Sequence, residues 1–218
     1  MRSSATYVQS VSPDTSPLDS ATRLLVQLSA VIAVGDEATI RRWMALAAQA
    51  APPGQVEEVV LQSYLFCGFP RALNAAREWR RVAPSPAPPT DEADDVGLGA
   101  QWRERGERTL AAVYGDMYDK LRLNVRDLHP ALDAWMVVDG YGKVLSRPGL
   151  DLPRRELCVV AVCAAMGQDR QLHSHLRGAL NVGVAADTLL DVLDAIVELV
   201  PAARMQSARL LLARILGK

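Results

Sequence analysis

The chain has 218 residues, half of them hydrophobic but only 5% aromatic, and its 24 basic and 25 acidic side chains give a formal net charge of -1. That length supports one large or two small domains with a real core, and a hydrophobic content built on Ala, Leu and Val suits helices. Dispersed Lys and Arg at near-zero net charge argue against nucleic-acid binding, and the absence of a run of about eighteen apolar residues argues against membrane spanning.

The N-terminal stretch MRSSATYVQSVSPDTSP has no apolar signal core, so the expected compartment is the cytoplasm. Cys67, Cys158 and Cys163 form no disulfide framework and read as small buried hydrophobes. Residues 1–16 are polar and read as a flexible N-terminus. Ser16-Pro17 then opens a helix expected to reach about Val34, where Gly35 stops it. Asp36 caps a second helix to about Ala50, with Ile40, Trp43, Met44, Ala47 and Ala48 at helical spacing. After the break at Pro52-Pro53-Gly54 a third helix covers about residues 55–66, and Pro70 starts a fourth through RALNAAREWRR. Residues 17–82 therefore read as one unit of four short helices.

Residues 83–98 are dense in proline and acid and show no periodicity. Such a stretch buries too little apolar surface to offset its ordering entropy and reads as an extended linker. Residues 99–218 form the second unit. It begins with helices near 102–114 and 116–123, followed by one opened by Pro130 and made irregular by Gly140 and Gly142.

The most informative stretch is RPGLDLPRRELCVVAVCAAMGQDRQLHSHLRGALNVG, from Arg147 to Gly183. Asp151 is an N-cap with Pro153 in the first turn, and Leu157 to Met166 carries no charge, the mark of a buried helix. Glu156 therefore sits at the mouth of a dry helix. Gly167 breaks the pattern, and a second helix from Asp169 to Asn181 carries His175. Glu156 lies eleven residues before Gly167 and His175 eight after it, so in antiparallel helices they differ in height by only about 5 Å, within reach of a glutamate side chain. Gln168, Gln171 and His175 form a polar stripe beside Leu172, Leu176 and Ala179. His173 points elsewhere, so the two histidines make a poor metal clamp, and no metal is expected.

The ordered series Tyr141, Arg147, Pro148, Gly149, Leu150, Glu156, His175, Ala179, Leu180 and Gly183 resembles the carboxymuconolactone decarboxylase family, within the alkylhydroperoxidase D-like superfamily. The resemblance implies an all-α fold, an orthogonal helical bundle, and closed homo-oligomeric rings, with a trimer expected ahead of a dimer or hexamer. Alkylhydroperoxidase D proteins place Cys-x-x-Cys before the position of His175; here those positions are Gln168 and Gln171. The dithiol is absent, which disfavours peroxidase activity.

Two pseudo-equivalent repeats are also expected. RLLVQLSAVIAVGDEATIRRWMALAAQA from Arg23 parallels RELCVVAVCAAMGQDRQLHSHLRGALNV from Arg155, at an offset of 132 that sets Gly35 on Gly167. In that register Leu24 replaces Glu156 and Trp43 replaces His175, so the first repeat is degenerate.

The resemblance implies cofactor-free decarboxylation, or related proton transfer, on a small carboxylate or lactone in aromatic catabolism. Glu156 and His175 are the candidate catalytic pair, since imidazole exchanges protons near neutrality and a carboxylate beside it fixes its tautomer. Arg147 and Arg155 are candidate carboxylate clamps, joined as substrate-binding residues by Tyr141, Gln168 and Gln171. A non-catalytic assembly or binding protein is the alternative, supported by the degenerate first repeat.

Overall fold

A computed structural model describes residues 18–217, and no strand occurs among them. The expected flexible N-terminus and the Ser16-Pro17 start lie outside the described residues. The first half comprises α1 (Ser20–Val34), α2 (Glu37–Ala50), α3 (Pro53–Cys67) and α4 (Phe69–Val82). The second comprises α5 (Gly99–Tyr114), α6 (Tyr118–Leu128), α7 (Pro130–Trp135), α8 (Leu152–Met166), α9 (Asp169–Asn181), α10 (Ala186–Ala195) and α11 (Ala202–Ile215). The fold is all-α, as its palette of helix formers dictates. None of the described helices is long and apolar enough to cross a membrane.

The order α1 to α4 recurs as α8 to α11, each series beginning at an aspartate N-cap. Asp19 accepts from Thr22 N and Asp151 from Arg154 N. The paired caps touch: Arg154 Nε donates to Thr22 Oγ1 at 2.9 Å, and its guanidinium also reaches Asp19. These contacts join the two ends related by the 132-residue offset, with α1 and α8 side by side. Both helices are nearly apolar, and every residue of α8 from Arg155 to Ala165 is buried. Leu25, Leu28 and Ile32 of α1 share one core with Val159 and Val162 of α8 and with Leu189 and Leu193 of α10. The halves are thus two packing units around a common centre.

Two parts of the chain depart from the sequence reading. The irregular stretch after α7 is a ten-residue π-helix, Met136–Leu145, rather than a simple kink. It crosses α5 backbone on backbone: a Cβ on Gly142 would lie 2.1 Å from the carbonyl oxygen of Trp102, and one on Gly106 2.0 Å from that of Val137. Only glycine permits that approach. Residues 83–98, expected to be extended throughout, carry two 3-10 turns, Glu92–Asp94 and Val96–Leu98, and are anchored by ion pairs from Asp91 to Arg147 and from Glu92 to Arg105. Charge supplies there the ordering energy that apolar surface does not.

Candidate active site

The hairpin of α8 and α9 brings Glu156 and His175 together. Gly167 adopts the left-handed conformation at φ 68°, closing α8 and turning the chain into α9. The Arg204 guanidinium donates to the Ala165 carbonyl and satisfies the end of α8. Across the hairpin, His175 Nδ1 lies 2.9 Å from Glu156 Oε2. Against a carboxylate, which offers only acceptors, the arrangement has Nδ1 donate and leaves the second ring nitrogen, Nε2, for chemistry. Glu156 is 0% and His175 4% exposed, so the pair is shielded from bulk water. Glu156 Oε1 is buried and makes no hydrogen bond among the described residues. Phe66 of α3 meets the imidazole edge-on, with ring centroids 5.5 Å apart, and fixes its plane from the first half.

Two phenols border the pair. Tyr141, on the π-helix, is buried and stands edge-on to Tyr114 at 6.2 Å. Burial pushes the Tyr141 phenol well above its ordinary range, and Tyr114 and the charge of Glu156 push the same way. Burial raises Tyr114 too, with Glu156 and Cys163 adding to the effect and hydrogen bonds to Tyr141 and Ser174 opposing it. Both phenols therefore remain protonated donors at neutral pH. The thiols also stay protonated: burial pushes Cys67 and Cys158 up to about 11, and raises Cys163 with help from Glu156. None is the low-pKa thiolate that thiol chemistry needs.

The structure does not bring Arg147 or Arg155 to this pair, which corrects the expectation of a carboxylate clamp. Arg155 is fully buried and donates to Glu58 Oε2 at 2.8 Å, to Gln62 Oε1 at 3.2 Å and to the carbonyls of Leu150 and Arg147. Arg147 donates to both Glu58 oxygens, at 3.0 and 3.1 Å, and forks onto Asp91 at 2.9 and 3.0 Å. Both guanidinium groups are thus spent on tying α8 and the loop before it to α3 and to the segment 83–98. Gln171 is exposed on α9, and Gln168 is half-buried at the α9 N-cap. Of the proposed binding residues, only Tyr141 adjoins the pair.

Sequence reasoning also missed several neighbours. Gly178, one turn beyond His175, leaves room for the carboxylate: a Cβ there would sit 2.8 Å from Glu156 Oε2 and 2.6 Å from Val113 Cγ1. Val113 and Tyr114 in turn line a cleft of about 670 Å³ between α5, α6, α9 and the end of α11. The pair is therefore separated from the cleft by a single layer of side chains. Glu58 and Gln62, one turn apart on α3 with Val59, Val60 and Leu61 between them, were the available signal for the buried cluster.

An all-helical protein in which the order α1 to α4 recurs as α8 to α11, with a buried glutamate–histidine pair on the α8–α9 hairpin, defines the class. A sequence model of the Carboxymuconolactone decarboxylase family matches residues 131–214, which include both members of the pair. The 4-carboxymuconolactone decarboxylase of Acinetobacter baylyi is 34% identical over 91 residues, 41% of this chain and 68% of that protein. Peroxisomal protein 2 of Schizosaccharomyces pombe is 31% identical over 143 residues, 62% of this chain, and the match spans 64% of the yeast protein's length. The chain belongs to the carboxymuconolactone decarboxylase family.

Proposed function

We propose that the protein is a carboxy-lyase that removes CO2 from a small lactone acid, or carries out closely related proton transfer, without a cofactor. The observation that carries the reading is the 2.9 Å contact between His175 and Glu156, held dry beside two protonated tyrosines. In this reaction the C–C bond to the departing carboxylate breaks and its electron pair enters the unsaturated lactone as a dienolate. His175, protonated on both ring nitrogens and stabilised as the charged ring by Glu156, then delivers its Nε2 proton to carbon and becomes neutral. Its Nδ1–H stays on Glu156, and a proton taken up from solvent restores the imidazolium. Tyr141 or Tyr114 supplies a hydrogen bond to the developing oxyanion.

The test is CO2 release from 4-carboxymuconolactone, the compound in the name of the Acinetobacter relative. His175→Ala should lower turnover by about 10²- to 10⁴-fold, and Glu156→Gln nearly as much. Undiminished decarboxylation by His175→Ala would overturn the assignment.

A second reading, a binding or assembly protein without turnover, is favoured by the full burial of Glu156. Under it the wall of Val113 and Tyr114 never opens to a substrate. Peroxide reduction is disfavoured by Gln168 and Gln171 and by the raised thiols.

A further inference from the structure

The arginines nominated for a substrate carboxylate are consumed elsewhere, yet a cation stands beside the pair's outer wall. Arg177 of α9 lines the 670 Å³ cleft, is exposed, and forms no ion pair with any described residue. His173, one turn earlier on the same helix, lines the cleft with it. The apolar part of the lining includes Leu121 from α6, Leu180 from α9 and Ile215 from α11. Its volume falls in the range of small-molecule sites, and its mix of an apolar body with a few convergent polar groups is what such sites show. Tyr114 lines the cleft while also contacting Tyr141 and feeling the charge of Glu156. It is the residue through which the cleft meets the buried pair.

We propose that this cleft binds a small carboxylate with an apolar body, its carboxylate held by Arg177 and His173 and its far end directed at the wall of Val113 and Tyr114. The planar fork of Arg177 matches a carboxylate with two parallel hydrogen bonds, and His173 adds a third donor. Asp116 also lines the cleft and offsets the charge of Arg177, so an anion is held there by direct contact with Arg177 and His173 rather than by a net positive field. Arg177 and His173, four residues apart, share one face of α9, so the two donors can converge on one anion, whereas Asp116 belongs to a different element, the turn after α5. That the occupant is the substrate rests on the proton-transfer reading above; the binding itself does not.

Benzoate is a suitable probe, and benzamide is its uncharged counterpart. Calorimetric titration of the full chain should show saturable millimolar binding of benzoate and much weaker binding of benzamide. Arg177→Gln, an exposed substitution that leaves packing intact, should weaken benzoate at least about tenfold, the worth of a charge-assisted contact, with His173→Gln a smaller loss. The same variants should leave benzamide within about twofold. Equal binding of the two probes, benzoate binding indifferent to Arg177→Gln, or no saturable benzoate binding at all would each overturn the proposal. The failures are distinguishable. If Arg177→Gln abolishes benzoate binding while His175→Ala still decarboxylates fully, the cleft stands and the catalytic pair falls. If turnover depends on His175 but benzoate ignores Arg177, the pair stands and the cleft falls.

Discussion

At the scale of single residues, the site depends on what is left out as much as on what is present. Gly178 has no side chain because the Glu156 carboxylate and Val113 occupy the space a methyl group would need. In Gly178→Ala the new Cβ, 2.8 Å from Glu156 Oε2 and 2.6 Å from Val113 Cγ1, forces these side chains to give way, and the 2.9 Å contact to His175 shifts with the carboxylate. We expect turnover to fall by about 10²-fold, the usual result of a displacement near 1 Å. Overpacking should cost a further 1–3 kcal/mol or so of stability in urea unfolding. If activity survives while stability falls, the position of Glu156 is not what limits the reaction. The pair itself was legible in the sequence, because the hairpin register follows from the Asp151 cap and the break at Gly167. Gly178 was not, since nothing local distinguishes a glycine that spares a carboxylate from one that merely ends a turn.

Between elements, long-range charge does the joining. Arg155, Glu58 and Arg147 are 89 to 97 residues apart across the two ion pairs, yet Glu58 bridges both guanidinium groups. This is why the arginines were misread from sequence: beside a helix entrance they resemble a ligand clamp, and their partner lies in the other half. Burial holds the Arg155 guanidinium below its ordinary range, with Glu58 opposing that shift, so removing the glutamate leaves a buried charge uncompensated. Glu58→Ala should therefore cost about 3–5 kcal/mol in chemical denaturation. Asp91→Ala, at a half-exposed partner of Arg147, should cost about 1 kcal/mol or less. Equal losses would mean that the network is not centred on Glu58.

A second ionic joint contributes to the response to acid. Asp133 of α7 is buried and accepts from Arg122 Nε at 2.5 Å and Nη2 at 3.0 Å, which holds its carboxyl below the ordinary range, with Arg126 adding. Because its folded-state pKa is depressed, its stabilising contribution is complete above the unfolded value near 4 and disappears as pH falls through the folded value. Unfolding free energy should decline below about pH 4, and Asp133→Asn should flatten that decline while lowering stability at pH 7. An unchanged acid slope in Asp133→Asn would place the acid-sensitive group elsewhere.

For the whole molecule, the helices were legible because they are written locally: Asp36, Asp151 and Gly167 cap or stop helices where the sequence placed them. The π-helix was not, since its cause is the crossing at Gly106 and Gly142, a contact between segments 36 residues apart in sequence. What the single chain leaves uncovered points outward. On the α6–α7 hairpin, Leu123, Leu128, Leu132 and Trp135 are 63%, 77%, 44% and 60% exposed. The hairpin is nonetheless rigid: Arg122 clamps Asp133, and His129 Nδ1 accepts from Ala131 N at 3.0 Å to cap α7. A firm frame presenting large apolar side chains to water is costly to an isolated chain and suits a self-complementary interface, with Trp135 as its anchor. We propose that a second copy of the chain covers this face in a homo-oligomer, with a trimer expected. Light scattering at micromolar concentration should give about three times the chain mass. Trp135→Asp together with Leu128→Asp should dissociate the assembly to monomers without loss of helical circular dichroism, since truncating one interface anchor costs about 2 kcal/mol or more. A dimer would correct only the stoichiometry. A monomeric wild type, or an assembly untouched by both charges, would remove this face from the interface.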